Sequence, residues 1–131
     1  MKRINISPTD LSKFFWNKIL ENSFIKSEIY KKDFFSKIDS LEKLRLESEY
    51  NTGSISSTSS WLLYSLVIFF KPKTIIEIGS FIGKSTISMA LGADDYIDEH
   101  KCEIFCCDMS NDIKLPKLSK TKITQFNKTK S

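Results

Sequence analysis

The segment Thr74–Ala90, TIIEIGSFIGKSTISMA, restricts the fold more than any other part of the chain. A short β-branched run, bounded by Pro72 and Gly79, enters a loop that carries a second glycine at position 83. Directly after that glycine, KSTISMALGA reads as a helix with Gly92 as its C-cap. The order strand, glycine loop, helix is the opening of a β–α–β unit, and such units build parallel sheets. The apolar residues of KTIIEIG are nearly continuous, which predicts a central parallel strand buried on both faces. DDYIDEHK is a charged connection, and EIFCCD, Glu103 to Asp108, is the second strand. NDIKLPKLSK is a weak helix or a loop broken by Pro116, and KITQF, Lys122 to Phe126, reads as a third strand. Ligands of such sheets bind beyond the carboxyl ends of the strands, where Gly79 to Gly83 and Asp108 both fall.

Helices precede this unit. Ser7-Pro8-Thr9-Asp10 is a helix start: Ser7 can cap, Pro8 suits the first turn, and Asp10 sits at the positive end of the dipole. Phe14, Phe15, Ile19 and Leu20 give that helix an apolar face to about Asn22. From about Ser27 to Glu47, Ile29, Tyr30, Phe34, Ile38, Leu41 and Leu44 recur at helical steps. The polar loop Tyr50–Ser60 should supply a Ser or Thr cap for a helix through WLLYSLVIFF, Trp61 to Phe70, ended by Lys71-Pro72. That run spans ten residues, about half of what a membrane span needs, so it reads as a buried helix.

With 131 residues the chain has length for one domain, and its 40% hydrophobic and 27% charged residues suit a globular protein. The net charge of +4 comes from dispersed lysines rather than a dense patch, which argues against nucleic acid as a partner. The lysine-rich stretch Lys114 to Lys130 reads as solvated surface. Cys102, Cys106 and Cys107 in C-x3-C-C lack a second ligand pair, and His100 is alone, so no metal site is expected. An odd cysteine count and an N-terminus without an apolar core segment predict a cytoplasmic protein.

The loop itself contains Gly83-Lys84-Ser85-Thr86, the tail of a phosphate-binding loop. A full phosphate loop is G-x4-G-K-[ST]. Gly79 and Gly83 enclose only Ser80-Phe81-Ile82, and no shift of frame restores the spacing. The dinucleotide pattern G-x-G-x-x-G fails at Phe81. Lys84 then reads as a solvated first-turn residue. Glu77 and Asp108 place two carboxylates at the pocket mouth, which repels a triphosphate and favours a ligand with an ammonium and ribose hydroxyls. The helix start at Gly83 to Ser85 can take a carboxylate.

EIGSFIGKSTISMA followed by IFCCDMS resembles the first two cofactor motifs of class I S-adenosylmethionine (SAM)-dependent methyltransferases, nearest to the small-molecule O-methyltransferase branch. The resemblance implies SAM as cofactor, a small-molecule methyl acceptor, and no membrane. It implies that Glu77, Gly79, Ser80, Phe81 and Gly83 wrap the methionine part and that Ser85 bonds its carboxylate. Asp108 would hold the ribose, with Asp112 as the alternative because the linker is long, and Met109 would pack on the adenosine. Thr52 and Gly53 resemble part of the loop that closes over the cofactor.

The implied fold is α/β: a partial Rossmann-like doubly wound parallel sheet of two to three strands, preceded by an N-terminal helical region. Residues 1–49 form the helical cover and 50–131 a truncated SAM-binding domain. No catalytic residue is identifiable, and catalysis is expected only if the protein continues beyond residue 131. A sheet stopped early predicts marginal stability or a homodimer through its exposed edge. The competing readings are a non-catalytic fragment or interaction module and a phosphate-loop nucleotide binder.

Overall fold

The computed structural model describes residues 7–21, 27–47, 54–96, 101–107 and 115–126. The elements run in the order α1 (Pro8–Leu20), α2 (Glu28–Leu46), α3 (Ser57–Phe70), β1 (Thr74–Glu77), α4 (Lys84–Tyr96), β2 (Cys102–Cys107) and β3 (Thr121–Phe126). The strands form one parallel sheet in the order β1-β2-β3, so the expected α/β architecture is present. In register, Glu77 pairs with Cys106 and Cys106 with Gln125. The carboxyl ends of all three strands therefore meet at one edge of the sheet.

Local chemistry explains the helix boundaries. The Ser7 hydroxyl accepts from the Asp10 amide at 3.2 Å and starts α1. Ser56 caps α3 by accepting from the Ser59 amide at 3.2 Å. Lys71, in the left-handed conformation, ends α3 by donating its amide to Val67 O at 2.8 Å. Gly92 is not a C-cap. It lies inside α4, which runs on through Asp94 and Asp95 to Tyr96. A Cβ at position 92 would stand 2.7 Å from the Tyr64 carbonyl oxygen, so glycine lets α3 and α4 approach closely.

The core forms where α2, α3 and α4 meet: Phe34, Ile38, Leu41, Trp61, Tyr64, Ile68, Ile87 and Leu91. Tyr64 is its hub. Its ring lies 4.6 Å from Phe34 and 5.0 Å from Trp61, and its hydroxyl donates to Asp95 Oδ2 at 2.6 Å. Burial, then the Asp95 bond, pushes the phenol pKa upward, so the hydroxyl stays a donor. A second cluster joins helices to sheet through Val67, Ala90, Ala93, Cys102 and Ile104, with Ile75 and Ile123 against it.

Two expectations about burial are corrected. β1 is not buried on both faces: Ile75 faces the helices, whereas Ile76 is 74% exposed. Among the described residues β1 is an outer strand, and no described helix covers the sheet face that carries Ile76. Phe14 in α1 and Ile29 and Tyr30 in α2 are exposed, so the buried stripe of α2 is narrower and runs through Phe34, Ile38 and Leu41. The side chains of Phe15, Ile19 and Leu20 lie outside the described ones. Residues 115–118 are loop, and β3 starts one residue earlier than expected, at Thr121.

Asp94, assigned to a connection by its charge, is the anchor of β3. Its carboxylate accepts from the backbone amides of Ser119 at 2.9 Å, Lys120 at 2.5 Å and Thr121 at 3.2 Å. Burial works to raise its pKa, but these bonds outweigh it and hold the carboxyl below its ordinary 3.8. The stability they contribute is therefore complete above the ordinary value and is lost as pH falls through the lower, folded-state value. Asp94→Asn should flatten the acid limb of a urea-measured stability profile between about pH 2 and 6. An unchanged limb would remove Asp94 from that role. Gly92→Ala should destabilise by about 1–2 kcal/mol in urea, because the contact with Tyr64 outweighs alanine's better helix propensity.

Candidate functional site

The turn from β1 into α4 brings six of the expected site residues together: Glu77, Gly79, Ser80, Phe81, Gly83 and Ser85. Gly79 and Gly83 both have φ of 79°, and Phe81 has φ of 47°. Left-handed backbone is costly for a residue with a Cβ, so Phe81 is held there by its surroundings. The Ser80 amide donates to Cys107 O at 2.8 Å, which fastens the loop to the end of β2. Gly83 N closes back on Ser80 O at 2.7 Å, and Ile87 N donates to Gly83 O at 2.8 Å to begin α4.

Helix geometry then leaves the amides of Lys84, Ser85 and Thr86 without an acceptor inside the helix. They form the positive end of the α4 dipole, suited to a carboxylate or another anion. Glu77 stands at the opposite side of the loop, at the end of β1, and Thr86 Oγ1 donates to its Oε1. The site thus offers an anchored carboxylate for a cation beside a helix start for an anion.

Ser80 is 3% exposed, and its hydroxyl turns inward against the end of β2. Its neighbour is the Cys106 thiol. Burial pushes that thiol's pKa up, the Ser80 hydroxyl opposes the shift, and the Glu77 charge adds to it. Cys106 is therefore an inert, protonated packing residue. Cys102 is buried and shifted upward in the same way. Among the described residues no cluster of His, Cys, Asp or Glu could hold a metal ion, and no helix is long and apolar enough to cross a membrane.

Asp108, Met109, Thr52, Gly53 and the alternative Asp112 lie outside the described residues. Cys107, which immediately precedes Asp108, is the residue whose carbonyl binds the loop.

Lys84 overturns one expectation. It is 1% exposed rather than solvated. Its ammonium donates to the Glu42 carboxylate and to Ser57 Oγ at 3.2 Å. Burial pushes its pKa down to about 8. The sequence offered no signal for this pair, since Glu42 sits in a run of alternating charges 42 residues away. Thr86 as the anchor of Glu77 was equally missed, although its position at the third residue of α4 puts it over the strand end.

No protein-family model and no curated protein matches the chain. Among solved structures it is similar to the crystal structure of SAH-bound Podospora anserina methyltransferase PaMTH1, with a TM-score of 0.47 and 15% identity. The similarity covers 95% of this chain and 53% of that one, so the chain spans about half the length of that protein.

Thr86→Val keeps the shape of the side chain but removes the donor to Glu77. Leaving that half-buried carboxylate short of a bond should cost about 1–3 kcal/mol in urea denaturation. A variant as stable as the wild type would show that the bond does not anchor Glu77.

Proposed function

We propose that the chain is the cofactor-binding half of a SAM-dependent methyltransferase that acts at an oxygen of a small molecule. Residues 1–49 serve as helical cover and residues 50–131 as the binding domain. The observation that carries this reading is the pairing of opposite chemistries across one glycine loop. The anchored Glu77 suits the ammonium of the methionine part, and the free amides of Lys84, Ser85 and Thr86 suit its carboxylate. Ser85 adds a hydroxyl to the carboxylate side. The buried Ser80 hydroxyl lies in the same loop.

Asp108 comes directly after Cys107 and is proposed to accept hydrogen bonds from the ribose diol, with Met109 against the adenine. Thr52 and Gly53 would close over the ligand. Asp112 is the alternative ribose partner. SAM supplies the methyl group on its sulfonium. The part of this chain is to bind and orient that cofactor, and orientation of the acceptor against the methyl carbon is the main contribution such a site makes. The oxygen acceptor rests on the branch of the family that the loop motif resembles.

The position of Lys84 weighs against a phosphate loop. In such a loop the lysine reaches the terminal phosphates. Here the ammonium is committed to Glu42 and Ser57 inside the protein.

Calorimetric titration tests the reading. Heat is expected with SAM and none with Mg-ATP, and Asp108→Ala should abolish the SAM signal. Heat with Mg-ATP alone would replace this reading with the nucleotide one. Silence with both would favour a non-catalytic interaction module.

A further inference from the structure

Glu42 lies on α2, far from the glycine loop in sequence, yet its carboxylate gathers donors from three helices. Arg45 reaches it through Nε at 3.2 Å and Nη2 at 3.1 Å. Ser57, the first residue of α3, donates at 2.8 Å. Lys84, the first residue of α4, completes the set. Lys84 is also the residue directly after Gly83, and its backbone amide is one of the three that face the proposed ligand. One residue therefore belongs to both the loop and the helical cover.

A gain in stability does not by itself explain this arrangement. A buried ion pair is often no more stabilising than apolar residues of the same volume, because both charges must leave water. Here Lys84 is the fully buried partner, while Glu42 is only partly buried and also holds Arg45 and Ser57, so it is the ammonium that would be costly to leave alone, and this fixes where the start of α4 must sit. We propose that the Glu42–Lys84 pair is a coupling clamp: it fixes the first turn of α4 against α2 and the start of α3, so that ligand affinity at the glycine loop depends on the docking of α2. This rests on the reading of the loop as a SAM site. Lys84 is a positioning residue, since its side chain turns away from the ligand and acts through the backbone of its own turn.

The clamp gives ligand affinity a pH dependence. The charged groups around Lys84 are Glu42 and, bonded to it, Arg45 from α2. α3 brings the neutral Ser57, and the Glu77 carboxylate of β1 is bonded to Thr86 rather than to Lys84. With its pKa pushed to about 8, Lys84 loses its charge in a range where the ligand can still be studied. Above that point the pair is weakened, and the first turn of α4 is less firmly held.

The test is calorimetric titration of the full chain with S-adenosylhomocysteine, alongside circular dichroism of each variant. At pH 7, Glu42→Gln and Lys84→Met should each weaken binding about tenfold or more. The double variant should lose less than the product of the two, as expected for residues that act together. Wild-type affinity should fall as pH rises through about 8. Lys84→Met should lack that part of the fall, and Glu42→Gln should show it at lower pH, because Lys84 has lost its partner charge. Wild-type binding with unaffected single variants, or a Lys84→Met profile parallel to wild type, overturns the clamp alone. Should a variant fail to fold, a flat wild-type profile between about pH 7 and 9 overturns it. No wild-type binding at pH 7 overturns the SAM reading, and the clamp with it.

Discussion

The chain must turn from the end of β1 into the start of α4 within residues 78–83, and the site depends on how it does so. Three of those residues adopt positive φ, including one with a bulky side chain. The turn is held at several points. Ser80 binds the end of β2, Gly83 closes on Ser80, and Thr86 ties α4 back to Glu77. The loop is thus over-determined by the elements on either side of it, which is the condition for tolerating left-handed backbone at Phe81. It is also what fixes the helix amides and the Glu77 carboxylate relative to one another. A ligand that carries both charges at short separation meets a prepared surface and does not have to organise it.

The rest of the fold supports that turn from one side. α4 packs on α3 because Gly92 and Ala93 present little more than backbone to Tyr64 and its neighbours. α2 packs on both through Phe34, Ile38 and Leu41. Asp94 then carries the order of α4 across to β3 by binding three successive amides. The opposite face of the sheet is different in character. Ile76 and Ile78 are exposed there, and Phe105 stacks on Phe126 at 5.5 Å. In a doubly wound sheet that face belongs under a second layer of helices. Among the described residues no helix covers that face.

Much of this was legible in the sequence where local chemistry decides. A β-branched run between Pro72 and Gly79 can hardly be anything but a strand, and the glycines at 79 and 83 sit where the backbone needs left-handed φ. Ser7 acts as the cap that its place before Pro8 suggests, whereas the sequence offered any Ser or Thr of Tyr50–Ser60 as the cap of α3 and the structure selects Ser56. What the sequence hid is what depends on distant partners. Lys84 looks like an exposed helix-start lysine until Glu42 arrives from another helix. Gly92 looks like a helix end, and only the closeness of Tyr64 shows that the missing side chain is the point. Asp94 looks like part of a charged linker, yet its carboxylate meets residues 25 to 27 positions on. Ile76 carries no mark that distinguishes it from Ile75, because coverage of a sheet face is set by neighbouring elements.

The glycine loop is proposed to bind SAM with the charged end of the ligand at the start of α4. A titration of the isotopically labelled chain with S-adenosylhomocysteine, read in the amide proton–nitrogen NMR spectrum, tests this most directly. Binding at the loop should move the amides of Gly79 to Thr86 and of residues 107–109 together along one saturable curve, while β3 and α1 stay still. Shifts confined to other parts of the chain, or no shifts at all, would contradict it.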